Sequence, residues 1–294
     1  MTIRIRPMRL MQAAVLLAVA GLAVPVLSPL PARGASSVEI DARALVAGRY
    51  EAGGWLAVVA SLANEGAPTS GYVAADSPDG IVRRFVELPA GSRKAVTLYV
   101  RPQAFARTVT VRYESPEGAV SADVDVRVFE RTSSQVAIVG DGPGNLRPQI
   151  LGAGQSSLPE PITLVPADFP DRPEPLSGLA SIVWAGDSTS LTEAQRRSIE
   201  RWVAGGGQLV VIGGPDWQAR TSAFTSLLPL TSLAAVDAVS LDGLATWAGG
   251  SAISTSDTTA ASGSLRPSAT ALVTDGTTPL LAFTSSGSGR VVYA

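Results

Sequence analysis

The sequence predicts a β-sandwich followed by an α/β domain. Three observations lead there. From Val38 to Glu130 short runs alternate apolar and polar residues; from Gln135 onward the apolar runs are unbroken; and one amphipathic helix, about Glu193 to Ala204, lies between two of those runs. At roughly 150 residues per domain, a length of 294 residues suits two domains.

The first half should hold about seven strands, over Val38–Ala44, Trp55–Leu62, Gly71–Ala75, Ile81–Leu88, Lys94–Val100, Thr108–Tyr113 and Ala119–Phe129. Turn clusters such as Asn64-Glu65-Gly66, Ser77-Pro78-Asp79-Gly80 and Ser115-Pro116-Glu117-Gly118 separate them. Thr108, Thr110 and Arg112 alternate with Val109, Val111 and Tyr113, which gives each strand one buried and one wet face. This spacing argues for an immunoglobulin-like sandwich over residues 36–131. With no cysteine in the chain, no disulfide pins the sheets, so Trp55 and the aliphatic faces are expected to supply the core.

Beyond Arg131-Thr132-Ser133-Ser134 the pattern changes. Gln135–Val139, Ile162–Val165, Ala180–Trp184 and Gln208–Ile212 are continuous apolar runs, as in parallel strands covered on both faces. Each leads into a turn containing an aspartate: Asp141, Asp168, Asp187 and Asp216. The helix has two candidate capping boxes, Thr192 with Gln195 and Ser190 with Glu193. Leu191, Ile199, Trp202 and Val203 share its apolar face, and Gly205-Gly206-Gly207 stops it. Residues 221–268 are rich in Ser, Thr, Ala and Gly and too weakly periodic to assign. Leu272-Val273, Leu280–Phe283 and Val291-Val292 read as late strands, the first two joined by a hairpin through Asp275-Gly276.

Composition excludes several functions. The 23 basic and 25 acidic side chains nearly cancel, which leaves no electrostatic footprint for nucleic acid. There is no Cys and no His, so no thiolate nucleophile, Cys/His zinc site or imidazole-based triad can be built from these residues.

Residues 1–35 read as an export signal or anchor. Arg4, Arg6 and Arg9 precede an uncharged stretch from Leu10 to Leu30, and Ala32-Arg33-Gly34 offers small residues for cleavage. Either way the remainder is expected outside the cytoplasm, on the extracytoplasmic side of the cell membrane. At the other end Gly289–Ala294 reads as a strand that begins and stops, an arrangement expected to leave partners unpaired. From it we expect an incomplete α/β domain over residues 135–294, with membrane helices beyond.

The turn Leu88-Pro89-Ala90-Gly91-Ser92 running into Val96–Val100 resembles bacterial extracytoplasmic Ig-like modules. Ile182-Val183-Trp184, the helix through Trp202-Val203, then Gly205-Gly206-Gly207 and Gln208–Val211 resemble the class I glutamine amidotransferase-like, flavodoxin-like fold. The similarity covers about residues 135–294, nearest to exported bacterial members with an Ig-like module before this domain and membrane helices after it. That family places a nucleophilic Cys on a tight turn after a strand. Here Gly213-Gly214 stand at that elbow, so the resemblance implies a non-catalytic relative that binds envelope or membrane proteins.

Two other functions stay open on the residues alone. If the strand-end aspartates Asp141, Asp168, Asp187 and Asp216 converge, they can hold Mg²⁺ through oxygen ligands and support metal-assisted hydrolysis. Asp is equally a favoured cap and turn residue, and on that reading no cofactor is implied and the chain is a binding module or a structural spacer. Gly140-Asp141-Gly142-Pro143-Gly144 departs from a phosphate-binding loop, since Pro143 lacks an N–H. Ser188, Thr189 and Ser190 lack a base and read as caps, and Trp217 as packing or as a crevice wall.

Overall fold

The computed structural model describes residues 37–129, 135–140, 161–249 and 258–294, and Ser36–Ala294 forms one compact unit. The expected export signal lies outside the described residues. Among those described, no helix is long and apolar enough to cross a membrane.

The first half is all β. Its strands are β1 (Val38–Ala44), β2 (Arg49–Tyr50), β3 (Leu56–Asn64), β4 (Thr69–Ser77), β5 (Gly80–Leu88), β6 (Arg93–Val100), β7 (Thr108–Ser115), β8 (Gly118–Asp125) and β9 (Arg127–Val128). A three-stranded sheet ordered β1-β3-β6 and a four-stranded sheet ordered β5-β4-β7-β8 enclose one core, an arrangement compatible with a β-sandwich. Alternation sets the faces: on β7 Val109, Val111 and Tyr113 are buried while Thr108 and Thr110 are exposed.

Two features of this half depart from the sequence expectation. Trp55 is 40% exposed and lies under the Arg101 guanidinium, 5.8 Å from its centroid; Tyr50 and Tyr113 fill the core instead. Asn64, read only as a turn residue, is buried. Its Nδ2 donates to the carbonyls of Ala67, Leu88 and Pro89, at 2.8, 3.0 and 3.2 Å, tying two turns together without a disulfide.

The second half is built on a seven-stranded mixed sheet. Its strands are β10 (Gln135–Val139), β11 (Ile162–Leu164), β12 (Leu179–Trp184), β13 (Gln208–Val211), β16 (Ala269–Asp275), β17 (Thr278–Ser286) and β18 (Gly289–Tyr293), with β14 (Leu230–Val236) and β15 (Ala260–Leu265) forming a separate antiparallel pair. The sheet order is β11-β10-β12-β13-β18-β17-β16; the first five strands are parallel, and β17 pairs antiparallel with both β18 and β16. Helix is scarcer than the α/β class implies. Besides α1 (Glu193–Ala204), only the short α2 (Trp217–Thr221) and α3 (Asp242–Trp247) occur among the described residues.

Helix α1 begins and ends where the sequence predicts. Thr192 with Gln195, not Ser190 with Glu193, forms the capping box: Gln195 N donates to Thr192 Oγ1 at 3.2 Å and Thr192 N to Gln195 Oε1 at 3.0 Å. Ile199, Trp202 and Val203 are buried beneath it. The hairpin through Asp275-Gly276 is also present, joining β16 to β17.

The last strand corrects an expectation. β18 is not an unpaired stub but lies inside the sheet, parallel to β13 and antiparallel to β17. Its Val291 and Tyr293 are buried.

The two halves share a core. Leu45, Val46, Ala57 and Phe129 from the sandwich pack in one cluster with Phe169, Leu176, Leu179 and Trp184. Arg43 on β1 pairs with Asp168 at 3.0 Å. Entry into the shared core is made by a left-handed turn, Val46-Ala47-Gly48, with φ of 54°, 51° and 69°. A β-branched residue in that region costs about 1–3 kcal/mol. Burial of Val46 offsets this, and the missing Cβ of Gly48 admits the Asp125 carbonyl.

Candidate functional site at the strand carboxyl ends

In a sheet of parallel strands, loops at the carboxyl ends converge on one edge and form the usual ligand crevice. Here β10, β12, β13 and β18 lie side by side, so Gly140, Gly186, Gly213 and Ala294 are brought to one edge.

Between β10 and β12 that edge is closed by backbone. Ala185 N donates to Val139 O at 2.9 Å, and Gly140 with φ 82° packs so closely on the Gly186 backbone that it has no space for a Cβ. Under this contact Trp184 is fully buried, its Nε1 donating to Gly186 O at 2.9 Å. Its ring is 5.2 Å from Phe169 and 4.9 Å from Phe224, centroid to centroid.

The aspartates are placed separately. Asp168 accepts from Arg43 and, through Oδ2, from Val165 N at 3.0 Å. Asp187 is exposed and accepts from Thr189 N at 2.7 Å; that backbone N–H, then the Thr189 hydroxyl, holds its carboxyl below the usual range. Asp216 is exposed at the start of α2 and forms no side-chain cap bond. Asp141 lies outside the described residues, as do Gly142, Pro143 and Gly144. Among the described residues, no three His, Cys, Asp or Glu side chains stand together as a metal site.

Ser188 is buried, and it is not a helix cap. Its Oγ donates to Ala219 O at 2.8 Å and accepts from Ala223 N at 3.1 Å, so it ties the loop after β12 to α2 and to the segment that follows it.

The turn after β13 lies at the same edge. Ile212 N donates to Trp184 O at 2.9 Å and Gly213 N to Ala294 O at 2.6 Å, which fixes the turn from both sides. Gly214 has φ of 97°, a conformation that L residues rarely adopt. Trp217 N closes the turn onto Gly214 O at 3.1 Å, with Trp217 half-buried at the start of α2. Below Gly213 stands Tyr293, whose hydroxyl donates to Ala261 O at 2.8 Å; burial pushes its pKa up to about 12.

Beside Gly214 stands Arg220, which the sequence reading passed over. It is 7% exposed, its Nη1 donates to Gly213 O, and no carboxylate of the described residues pairs with it. A Cβ on Gly214 would lie 3.0 Å from that nitrogen. A single arginine in a polar stretch looks solvated in sequence, and nothing in the residue pattern around it signals burial. Backbone, the buried Tyr293 phenol and the buried Arg220 guanidinium thus surround the two glycines of the turn. Such groups can hold an acidic partner but cannot form a covalent adduct by thiolate attack.

Residues 37–128, which span β1–β9, match the model of a domain of unknown function, DUF8726. No curated protein matches the chain. Among solved structures, the cytoplasmic protein STM3548 from Salmonella typhimurium is similar at 15% identity and a TM-score of 0.35, over 64% of this chain and 83% of that one. XAC1771 from Xanthomonas citri, a carbohydrate acetylesterase, aligns at 12% identity and a TM-score of 0.23, over 60% and 63% of the two chains. Cwp6 from Clostridium difficile aligns at 10% identity and a TM-score of 0.19, over 65% and 36%. At these scores none of the three fixes the fold or activity of this chain.

Proposed function

We propose that this chain is a non-catalytic binding and assembly module at the extracytoplasmic face of a bacterial membrane. In this reading an Ig-like sandwich carries a flavodoxin-like, class I amidotransferase-like domain whose chemistry has been lost. One observation carries it: at the turn after β13, Gly213-Gly214 stand in a chain without Cys or His, and Arg220 flanks the position where a reactive side chain would project. The five parallel strands with α1 between β12 and β13 support the domain assignment. The basic, then uncharged, leader supports export. Arg220 supplies recognition, since a buried guanidinium without a carboxylate favours an acidic group on the partner.

The test pairs two readouts. The purified chain is incubated with glutamine and ammonia release is followed; background release is expected. In its own cells, a photoreactive residue replaces Trp217 and crosslinked partners are identified. Crosslinks to envelope proteins that disappear with Arg220→Met support the proposal. Glutamine turnover, or crosslinks confined to cytosolic proteins, would overturn it.

A further inference from the structure

A second cleft lies at the seam between the sandwich and the edge strand β11. Its volume is about 460 Å³, and Ala47, Arg49, Asp125, Arg127, Ile162 and Thr163 line it. It has no part in the carboxyl-end turn. The short ladder β2–β9 is parallel, with Arg49 in register with Arg127, and both residues line the cleft. Like charges directly opposite on neighbouring strands repel and destabilise the pair.

Several arginines elsewhere in the chain are paired with carboxylates. Arg43 pairs with Asp168, Arg101 with Asp79, Arg112 with Asp76 and Glu114, and Arg196 with Glu193 and Glu200. Arg49 and Arg127 have no carboxylate or carbonyl partner among the described residues, although Asp125 is on the same cleft wall. The left-handed turn Val46-Ala47-Gly48 leads directly into Arg49 at this position. Across the cleft, Thr163 on β11 offers a hydroxyl.

We infer that this cleft binds a small, doubly charged oxyanion of the phosphate type. Arg49 and Arg127 supply the charge-assisted hydrogen bonds, and Thr163 donates from the facing wall. Two adjacent guanidiniums match the oxygens of a tetrahedral dianion, and binding one removes the repulsion between them. Asp125 opposes the anion, and this gives the proposal a signature of opposite sign.

The experiment is calorimetric titration of the full chain with inorganic phosphate at low ionic strength, where charge interactions are least screened. A saturable site is expected. Arg49→Gln and Arg127→Gln should each weaken it by about tenfold or more, since each removes charge-assisted bonds. Asp125→Asn should tighten it about threefold by removing a like charge. Arg93→Gln, an exposed arginine outside the cleft, should leave it unchanged. Should a glutamine variant fail to fold, Arg49→Lys and Arg127→Lys keep the charge and should still weaken binding. Absence of saturable heat with the native chain, or binding indifferent to the arginines or weakened by Asp125→Asn, refutes the assignment. A parallel arm measures co-sedimentation with phosphatidylglycerol vesicles; arginine-dependent sedimentation that free phosphate does not compete away would assign the cleft to a lipid surface and overturn the small-ligand reading.

Discussion

Gly178, just before β12, lies against the ring of Phe129, at the end of the sandwich, with no space for a methyl group between them. Phe129 is 4% exposed and belongs to the core that both halves share. Gly178→Ala forces the ring to shift within that packed core and should cost about 1–3 kcal/mol through overpacking. For a unit of this size that lowers Tm by roughly 2–4 °C per kcal/mol. Calorimetry is expected to show one transition for the native chain and one at lower temperature for the variant. Two independent transitions in the native chain would contradict the shared core.

The Arg43–Asp168 contact should respond unequally to truncation. Arg43 is half exposed, so Arg43→Ala should cost no more than about 1 kcal/mol. Asp168 also accepts from Val165 N, and Asp168→Ala leaves that N–H without its acceptor, so about 1–2 kcal/mol is expected. Urea melts of the two variants compare them directly.

Alkaline stability should report on Tyr293. Its folded pKa is about 12, above the ordinary value of 10.0, because burial disfavours the phenolate. Its contribution is therefore complete below about pH 10 and is lost as pH rises through about 12. Burial also raises the pKa of Tyr50, Tyr99 and Tyr113, which steepens the same limb. Tyr293→Phe removes the bond to Ala261 O and should lower Tm at neutral pH, while flattening the loss between pH 10 and 12. An unchanged alkaline slope would argue against a buried neutral phenol.

At the turn after β13, Gly214→Ala meets a φ of 97° and crowds Arg220, so about 1–3 kcal/mol of destabilisation is expected. Gly214→Cys should be inert towards glutamine despite introducing a thiol, because the chain contains no His to activate it. Ammonia release by that variant would show that another group serves as base.

Much of the scaffold was readable in the residues. β1, β10 and α1 begin and end where alternation, apolar runs and the capping signal place them, because each signal is local. The segment 221–268 was not legible: β14 and β15 pair across a long sequence separation and carry many small, half-exposed residues, so neither shows a clean period of two. Trp55 misled for a different reason. Its size suggests a core position, but it precedes β3 by one residue and turns outward onto Arg101. At the candidate site, Gly213 and Gly214 stand out in the sequence because the resemblance puts its nucleophile elbow there, whereas no residue pattern marks Arg220 or Tyr293.

The sequence alone established where β1, β10 and α1 lie along the chain and that these residues include no thiol or imidazole, because those depend on neighbouring residues and on composition. It could not say that Arg220 stands beside Gly214, that Arg49 is in register with Arg127, or that the strand-end aspartates Asp168 and Asp187 are occupied in separate local contacts. Strand order decides these, and strand order comes from packing residues far apart in the chain, whose burial no local pattern records.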